Sequence, residues 1–316
     1  MNWIAESSEV AAGVLARAIS AELARAREAL EGRTDLSSSV HEARRAIKRT
    51  RALLKLADPR SGDSHTDRTM RDASRALALL RDADVVVVTA EDIRAGSRSS
   101  EPNLVPRHLL ESLEDERGRR FAESGSADGP LRRAHELLRS VTFEIPETQT
   151  LQVTDSQKPT PSGAVELLRV GLGASYASAQ VRSDPAAGEG PVDERSHKLR
   201  KRVKDLRYQL EFLDSGQPKL DRLVRDLHHL TDLLGDRNDL ATLSTHTAST
   251  DVLCESERVS LTAHVEGLKS TLQSEAEALS ARLFAEEPET FVGRIEAWLN
   301  PPPNPPRVPP QGPPQG

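Results

Sequence analysis

The chain has 316 residues, enough for two average domains or for one large helical body with a real hydrophobic core. Its residues are 36% hydrophobic and 29% charged but only 3% aromatic, which favours helices packed through Leu and Val and makes an all-β sandwich a poor candidate. The net charge of −6 argues against a protein that coats itself in nucleic acid, and a single cysteine excludes intrachain disulfides and a cysteine metal cage.

The sequence has no feature typical of a membrane span or a secretory signal. The apolar run 85–88 is far shorter than the ~20 residues that a membrane helix needs. The N-terminus carries Glu6 and Glu9 and has no basic stretch ahead of an apolar one. We therefore expect a soluble protein in the reducing cytoplasm.

Helical periodicity dominates the first half wherever Pro and Gly are absent. It predicts five helices, near residues 10–30, 39–57, 66–93, 107–122 and 131–141. The run Val85–Val88 has strand propensity but lies inside the third helical pattern, so we interpret it as buried helix.

A polar stretch with three prolines, residues 144–163, predicts a linker, after which the same order of helices begins again. The second half is predicted to have helices near 163–181, 197–213, 220–246, 255–284 and 291–299. The tail, 301–316, has nine Pro in sixteen residues and is predicted to be disordered with polyproline character. We expect one domain over 1–300, with halves of about 1–143 and 164–300.

The segment at His41 recurs at His197. Aligning HEARRAIKRTRALLKL with HKLRKRVKDLRYQLEF matches His41 to His197 and Arg44 to Arg200 at an offset of 156. Farther on, the segment at Leu77 aligns with the one at Leu234 at an offset of 157, and an alignment at 154 also fits. Two halves with the same helix order predict a pseudo-twofold architecture.

These two segments hold twelve of the 43 Lys and Arg residues within 30 positions. On a helix their spacing places one row of cations within an arc of roughly 80°. The first basic stripe consists of His41, Arg44, Lys48, Arg51 and Lys55, and the second of His197, Arg200, Lys204 and Arg207, with Arg45 and Lys201 beside them. In the second segment the apolar residues fill a neighbouring arc, so the cations border the buried face, as in the wall of a groove or channel.

A solvated helix face usually pairs Glu with Lys at i,i+4, but the first stripe contains no acid. Because like charges on one face repel, the stripes call for a polyanion or for internal carboxylates. Asp82, Asp84 and Asp239 are candidates to hold the guanidinium groups in position, or they are polar residues at a helix kink or end. Each stripe histidine is either a hydrogen-bonded structural residue or a ligand group that adds charge near pH 6.5.

The paired segments resemble the CHAD domain, the conserved histidine α-helical domain, whose signature is a His followed by spaced Arg and Lys on a helix, given twice. LRDADV at 80–85 resembles the family's Arg-Asp-Leu-Asp-Val, and Leu233-Leu234-Gly235 with Asn238-Asp239 resembles its second-half counterpart. Ala78 stands where the family often has Gly, and Arg45 replaces a common apolar residue, but neither change removes a stripe cation.

The resemblance implies an all-α fold of two antiparallel helical bundles around a pseudo-twofold axis, with a basic central channel that binds inorganic polyphosphate. The two stripes with Arg45 and Lys201 would bind this ligand. Residues in support would be Arg81, Asp82, Asp84, Asn238 and Asp239. The resemblance implies no catalysis, cofactor or metal, because the triphosphate-hydrolysing domain that many relatives carry has no counterpart here. Polyphosphate granules are one expected location, and the oligomeric state stays open.

Two other classes of function remain as alternatives. An RNA- or DNA-binding helical module would use the same cations, although single-stranded nucleic acid usually stacks on aromatic side chains, which this chain largely lacks. A histidine phosphotransfer protein would use His41 in a helix, but the chain has no Gly-rich ATP-binding segment to accompany it. A His-Asp metallophosphohydrolase needs an adjacent His-Asp pair, and this dipeptide does not occur.

Overall fold

The computed structural model describes residues 8–31, 35–96, 104–126, 128–141, 162–184, 190–214 and 216–299. Over these residues the protein is all-α, with eleven α-helices, one short 3-10 helix at Pro59–Asp63 and no strand. The all-α prediction is therefore confirmed. The predicted tail at 301–316 and all but the last two residues of the predicted linker lie outside the described residues.

The first half forms α1 to α6 and the second half forms α7 to α11. The bounds of the first six are α1 (Ser8–Glu28), α2 (Leu36–Ala57), α3 (His65–Ala76), α4 (Ala78–Arg94), α5 (Arg107–Ser124) and α6 (Pro130–Ser140). The others are α7 (Ser162–Ser183), α8 (Val192–Leu213), α9 (Pro218–Ser249), α10 (Glu255–Leu283) and α11 (Pro288–Leu299). No helix among the described residues has the length and apolarity that crossing a bilayer requires.

The prediction of one helix over 66–93 is wrong, because α3 ends and α4 begins on either side of Leu77. The Leu77 side chain is fully buried, and its N–H is shared between the carbonyl oxygens of Ala73 and Arg75, which tightens and closes the last turn of α3. The run at 85–88 lies within α4, with Val85 to Val87 buried, so its interpretation as helix is confirmed.

Helix α8 begins at Val192, five residues before the predicted start. Asp193 and Glu194 occupy its first turn, where carboxylates are favoured by the unpaired N–H groups and the helix dipole. The interval between the predicted helices 163–181 and 197–213 is correspondingly shorter, since α7 also extends to Ser183.

One large core joins helices from both halves of the chain. Its fully buried side chains include Ile19, Ile47, Tyr176 and Leu210, while a smaller core fills the space between α4, α5, α9 and α10. Helices α2 and α8 pack against each other within the large core. Their contact is fixed by Gln209, whose buried amide donates to the Ala52 carbonyl oxygen at 3.0 Å.

Helix α7 crosses α2 at very short range. An added Cβ at Gly171 would lie 2.1 Å from the Leu56 carbonyl oxygen, so only glycine fits there. The basic stripe of α2 faces α3, α4 and α8, because Arg51 pairs with Asp67 of α3, Lys55 pairs with Asp205 of α8, and Lys48 lies near Arg81 of α4.

Candidate anion-binding site

Three helices bring five cations together where α2 faces α8. We call this group the central cation cluster, and it consists of Arg44 and Lys48 from α2, Arg81 from α4, and Arg200 and Lys204 from α8. The other four cations all lie close enough to Lys48 to lower the pKa of its amine. In the part of the chain that the structure describes, no carboxylate lies within ion-pair distance of Lys48, Arg200 or Lys204.

The two lysines are partly desolvated and surrounded by like charge. Burial, followed by the charges of Arg200 and Arg207, lowers the pKa of Lys204 to about 7, against the opposing effect of Asp239. Burial and then Lys204 lower the pKa of Lys48 well below its usual range. The cluster is therefore only partly charged at neutral pH without an anion, and an incoming anion favours its protonated form.

The two cluster arginines of the stripes are held differently. Arg44 donates from Nη1 to the carbonyl oxygen of Ser74, at 2.5 Å, in the last turn of α3. Arg200 lies across α9 at Gly235, where an added Cβ would be 3.2 Å from its Nη2. The Arg200 Nε is buried and has no hydrogen-bond partner among the described residues. Glycine at 235 thus admits the guanidinium group against the helix backbone.

The two stripe histidines lie beside the cluster. The Asn238 side-chain oxygen lies 2.8 Å from His197 Nδ1, so an amide from α9 orients that ring. His41 is exposed. Burial, together with neighbouring cations such as Arg81 for His41 and Lys201 for His197, lowers the pKa of both rings. They therefore gain charge at a lower pH than the expected 6.5.

The last two cations of the first stripe are paired with carboxylates. Arg51 donates Nε and Nη2 to the two carboxylate oxygens of Asp67, at 2.7 and 3.3 Å. Lys55 Nζ lies 2.5 Å from Asp205 Oδ2 across the α2–α8 contact. These two cations stabilise the fold through their partners, and their predicted contact with a ligand stays a prediction.

Arg207, at the end of the second stripe, is buried as well. Its Nη1 donates to the Thr231 hydroxyl at 3.2 Å, and its Nε lies 3.2 Å from Glu211. Its guanidinium group lies over the Tyr208 ring, 4.7 Å from the ring centroid. By contrast, Arg45 and Lys201 are exposed at the edge of the site.

The predicted supporting residues surround the cluster. Asp84 is buried and accepts hydrogen bonds from Arg81, at 3.0 Å, and from Ser37, at 2.9 Å, which fixes the Arg81 side chain. Asp82 lies near Arg44 and Arg81, and burial raises the pKa of its carboxyl group. Asp239 carries the negative charge that most strongly raises the pKa of Arg200, against the dominant lowering by burial.

The sequence did not predict the carboxylates that pair with some of the stripe cations and leave the others unpaired among the described residues. Glu211 follows Arg207 by four residues, so this pair could have been found from helical spacing. Asp67 and Asp205 reach α2 from other elements, and no spacing rule gives such contacts. Among the described residues, no group of three or more His, Cys, Asp or Glu side chains is arranged to hold a metal ion.

Comparison with known protein families matches residues 14–248 to the CHAD domain. The chain belongs to the CHAD domain family. This CHAD chain is similar to the crystal structure of the CHAD domain from the plant Ricinus communis, with a TM-score of 0.55 and 19% sequence identity. The match covers 89% of this chain and 93% of the plant chain, which establishes the shared fold. No curated protein matches the sequence.

Proposed function

We propose that this CHAD protein binds inorganic polyphosphate at the central cation cluster without hydrolysing it. The observation that carries the proposal is that Lys48 of α2 and Arg200 and Lys204 of α8, about 156 residues apart in sequence, are desolvated and have no carboxylate within ion-pair distance among the described residues. Burying unpaired like charges is costly, and a bound polyanion removes that cost. In this proposal the two stripes belong to related halves and line one basic channel.

The chemistry of the cluster fits a chain of phosphates. Arg44 and Arg200 supply planar forks that can engage two phosphate oxygens each, while Lys48 and Lys204 supply point charges. Polyphosphate repeats about one negative charge per phosphate and has no bases, so it needs regularly spaced cations and no stacking platform.

The aromatic residue beside the second stripe supports this choice over RNA. Tyr208 is buried, and the guanidinium groups of Arg207 and Arg49 lie 4.7 and 5.4 Å from its ring centroid. Its ring is therefore occupied by the protein's own cations and offers no platform to a nucleobase. Cytoplasmic location and association with polyphosphate granules are part of the same proposal.

The proposal is tested by titrating the protein with polyphosphate of defined lengths and with single-stranded RNA at equal phosphate concentration, over a series of salt concentrations. We expect polyphosphate to bind more tightly than RNA, with a log–log salt slope of about −3 to −5 for five neutralised phosphates. Replacing Lys48 and Lys204 together by Gln should weaken polyphosphate binding at least about a hundredfold.

The matched control is Lys198→Gln on the same helix, because Lys198 is already paired with Glu194 at 2.7 Å. Its polyphosphate affinity should change little. Tighter binding of RNA than of polyphosphate, or release of phosphate above background by the pure protein, would contradict the proposal.

A further inference from the structure

A pocket of about 400 Å³ opens between α4, α5 and α9. One helical face of α4 forms its apolar wall with Leu79, Ala83 and Val86, and Leu113 of α5 extends it. Leu79 is 62% exposed, the highest value among the exposed large apolar side chains of the described residues. The volume and the apolar wall suit a small planar ligand.

The opposite wall offers hydrogen-bond acceptors. The hydroxyls of Thr242 and Thr245 each donate to a carbonyl oxygen one turn earlier in α9, at 3.0 Å, and Ser249 also donates to its own helix. Because each hydroxyl proton is used in this way, the oxygen lone pairs remain for a ligand. A ligand that fits this wall carries N–H groups.

The pocket joins the cluster through one side chain. Asp82 lines the pocket, and its carboxyl group is also in electrostatic contact with Arg44 and Arg81. Glu116, Arg120 and His246 also line the pocket but are engaged with one another, since Glu116 is within ion-pair distance of both Arg120 and His246. Toward the cluster, a ligand therefore meets the apolar wall of α4, then the Asp82 carboxyl group, then the cluster cations. This is the order of a base, a sugar with hydroxyl donors, and phosphates.

We propose that this pocket binds the nucleoside end of a nucleoside polyphosphate whose base carries an amino group, with its phosphates in the central cation cluster. The inference rests on the proposed anion-binding function of the cluster. The apolar face of α4 packs against the base, the Asp82 carboxylate accepts hydrogen bonds from the sugar hydroxyls, and the α9 hydroxyls accept from the amino group.

The experiment compares ATP, ITP and long-chain polyphosphate as ligands of the full chain in metal-free buffer. ATP and ITP differ at the exocyclic group on C6 and the adjoining ring proton, so their charge and size match. The wild-type protein should bind ATP roughly three- to tenfold more tightly than ITP, the effect of one hydrogen bond. Thr245→Trp, at an exposed position, should fill the pocket and remove this preference while leaving polyphosphate affinity unchanged.

The matched control is Thr262→Trp, at an exposed position of α10 outside the pocket, which should keep the preference for ATP. Equal binding of ATP and ITP by the wild-type protein, or an intact preference in Thr245→Trp, would overturn the nucleoside pocket while the cluster still binds polyphosphate. Binding of polyphosphate without either nucleotide would overturn it too. If the wild-type protein binds none of the three ligands, the proposed function is overturned, and this inference with it.

Discussion

Helices α2 and α8 have the same length, 22 residues, and carry stripes of the same spacing. On each helix, within the described residues, some stripe cations are paired with carboxylates and others are not. Midway along both helices Lys48 and Lys204 have no carboxylate within ion-pair distance in the described chain. Farther along, Arg51 and Arg207 are held by Asp67 and by Glu211. Position along the helix, and not residue type, therefore determines which of these cations lack a carboxylate partner among the described residues.

The two helices differ in what their cluster arginines touch. In the first half, the break between α3 and α4 places the Ser74 carbonyl oxygen within reach of Arg44. In the second half, α9 is unbroken and Gly235 lets Arg200 lie against it. The arginine of the first half is thus hydrogen-bonded to the backbone, whereas the Nε of Arg200 has no hydrogen-bond partner in the part of the chain that the structure describes.

Removing a cation that is paired within the protein should lower the stability of the fold much more than it changes ligand affinity. Among the described residues, Arg51→Met leaves the Asp67 side chain, which is 2% exposed, with Arg71 at 3.2 Å as its one remaining ion-pair partner. The free energy of unfolding should fall by about 2 to 4 kcal/mol, because a buried carboxylate loses a bidentate partner. Urea denaturation measures this loss, and polyphosphate affinity of the folded variant should change by no more than about threefold, because Arg51 is paired within the protein.

The control for that variant is Arg75→Met, because Arg75 is 75% exposed and pairs with the exposed Asp72. It should cost less than about 0.5 kcal/mol. A loss of polyphosphate affinity in Arg51→Met as large as that of the Lys48 and Lys204 double variant would erase the distinction between the two groups.

A smaller effect should appear in the pH dependence of binding. Since the pKa of Lys204 is about 7 in the ligand-free protein, the fraction that is charged rises steeply between pH 8 and pH 6. Polyphosphate affinity should therefore increase roughly tenfold over this range for this one group. Isothermal titration at several pH values measures the change, and Lys204→Gln should flatten it.

The lowered pKa of Lys204 also affects the free energy of unfolding of the ligand-free protein. This effect has the opposite pH dependence from that of polyphosphate affinity. In the unfolded chain Lys204 regains its usual pKa of 10.5, so the unfolded state binds more protons between pH 7 and 10.5. This lysine's contribution to stability should thus increase as pH rises through that window.

Polyphosphate affinity that is independent of pH between 8 and 6 would contradict the binding prediction, because it would mean that the lysines are charged before the ligand binds.

Helical periodicity was sufficient to find most helices and both stripes, because these depend on local spacing. The position of Leu77, where one predicted helix becomes two, depends on burial of that side chain in the core. The partners of Arg51 and Lys55 depend on tertiary packing, since Asp67 and Asp205 come from other helices. Gly235 was visible in the family motif, but only the structure places Arg200 against it.

If cations 156 residues apart in sequence form one site, polyphosphate binding by Arg44→Glu, Arg200→Glu and their double variant over a salt series measures this directly. Each single variant should weaken binding at least about tenfold and flatten the salt slope by roughly one unit or more. The double variant should lose measurable binding, while Arg25→Glu and Arg132→Glu, at exposed positions, should change little. Full binding by the double variant, or equal losses at the control positions, would contradict a shared site.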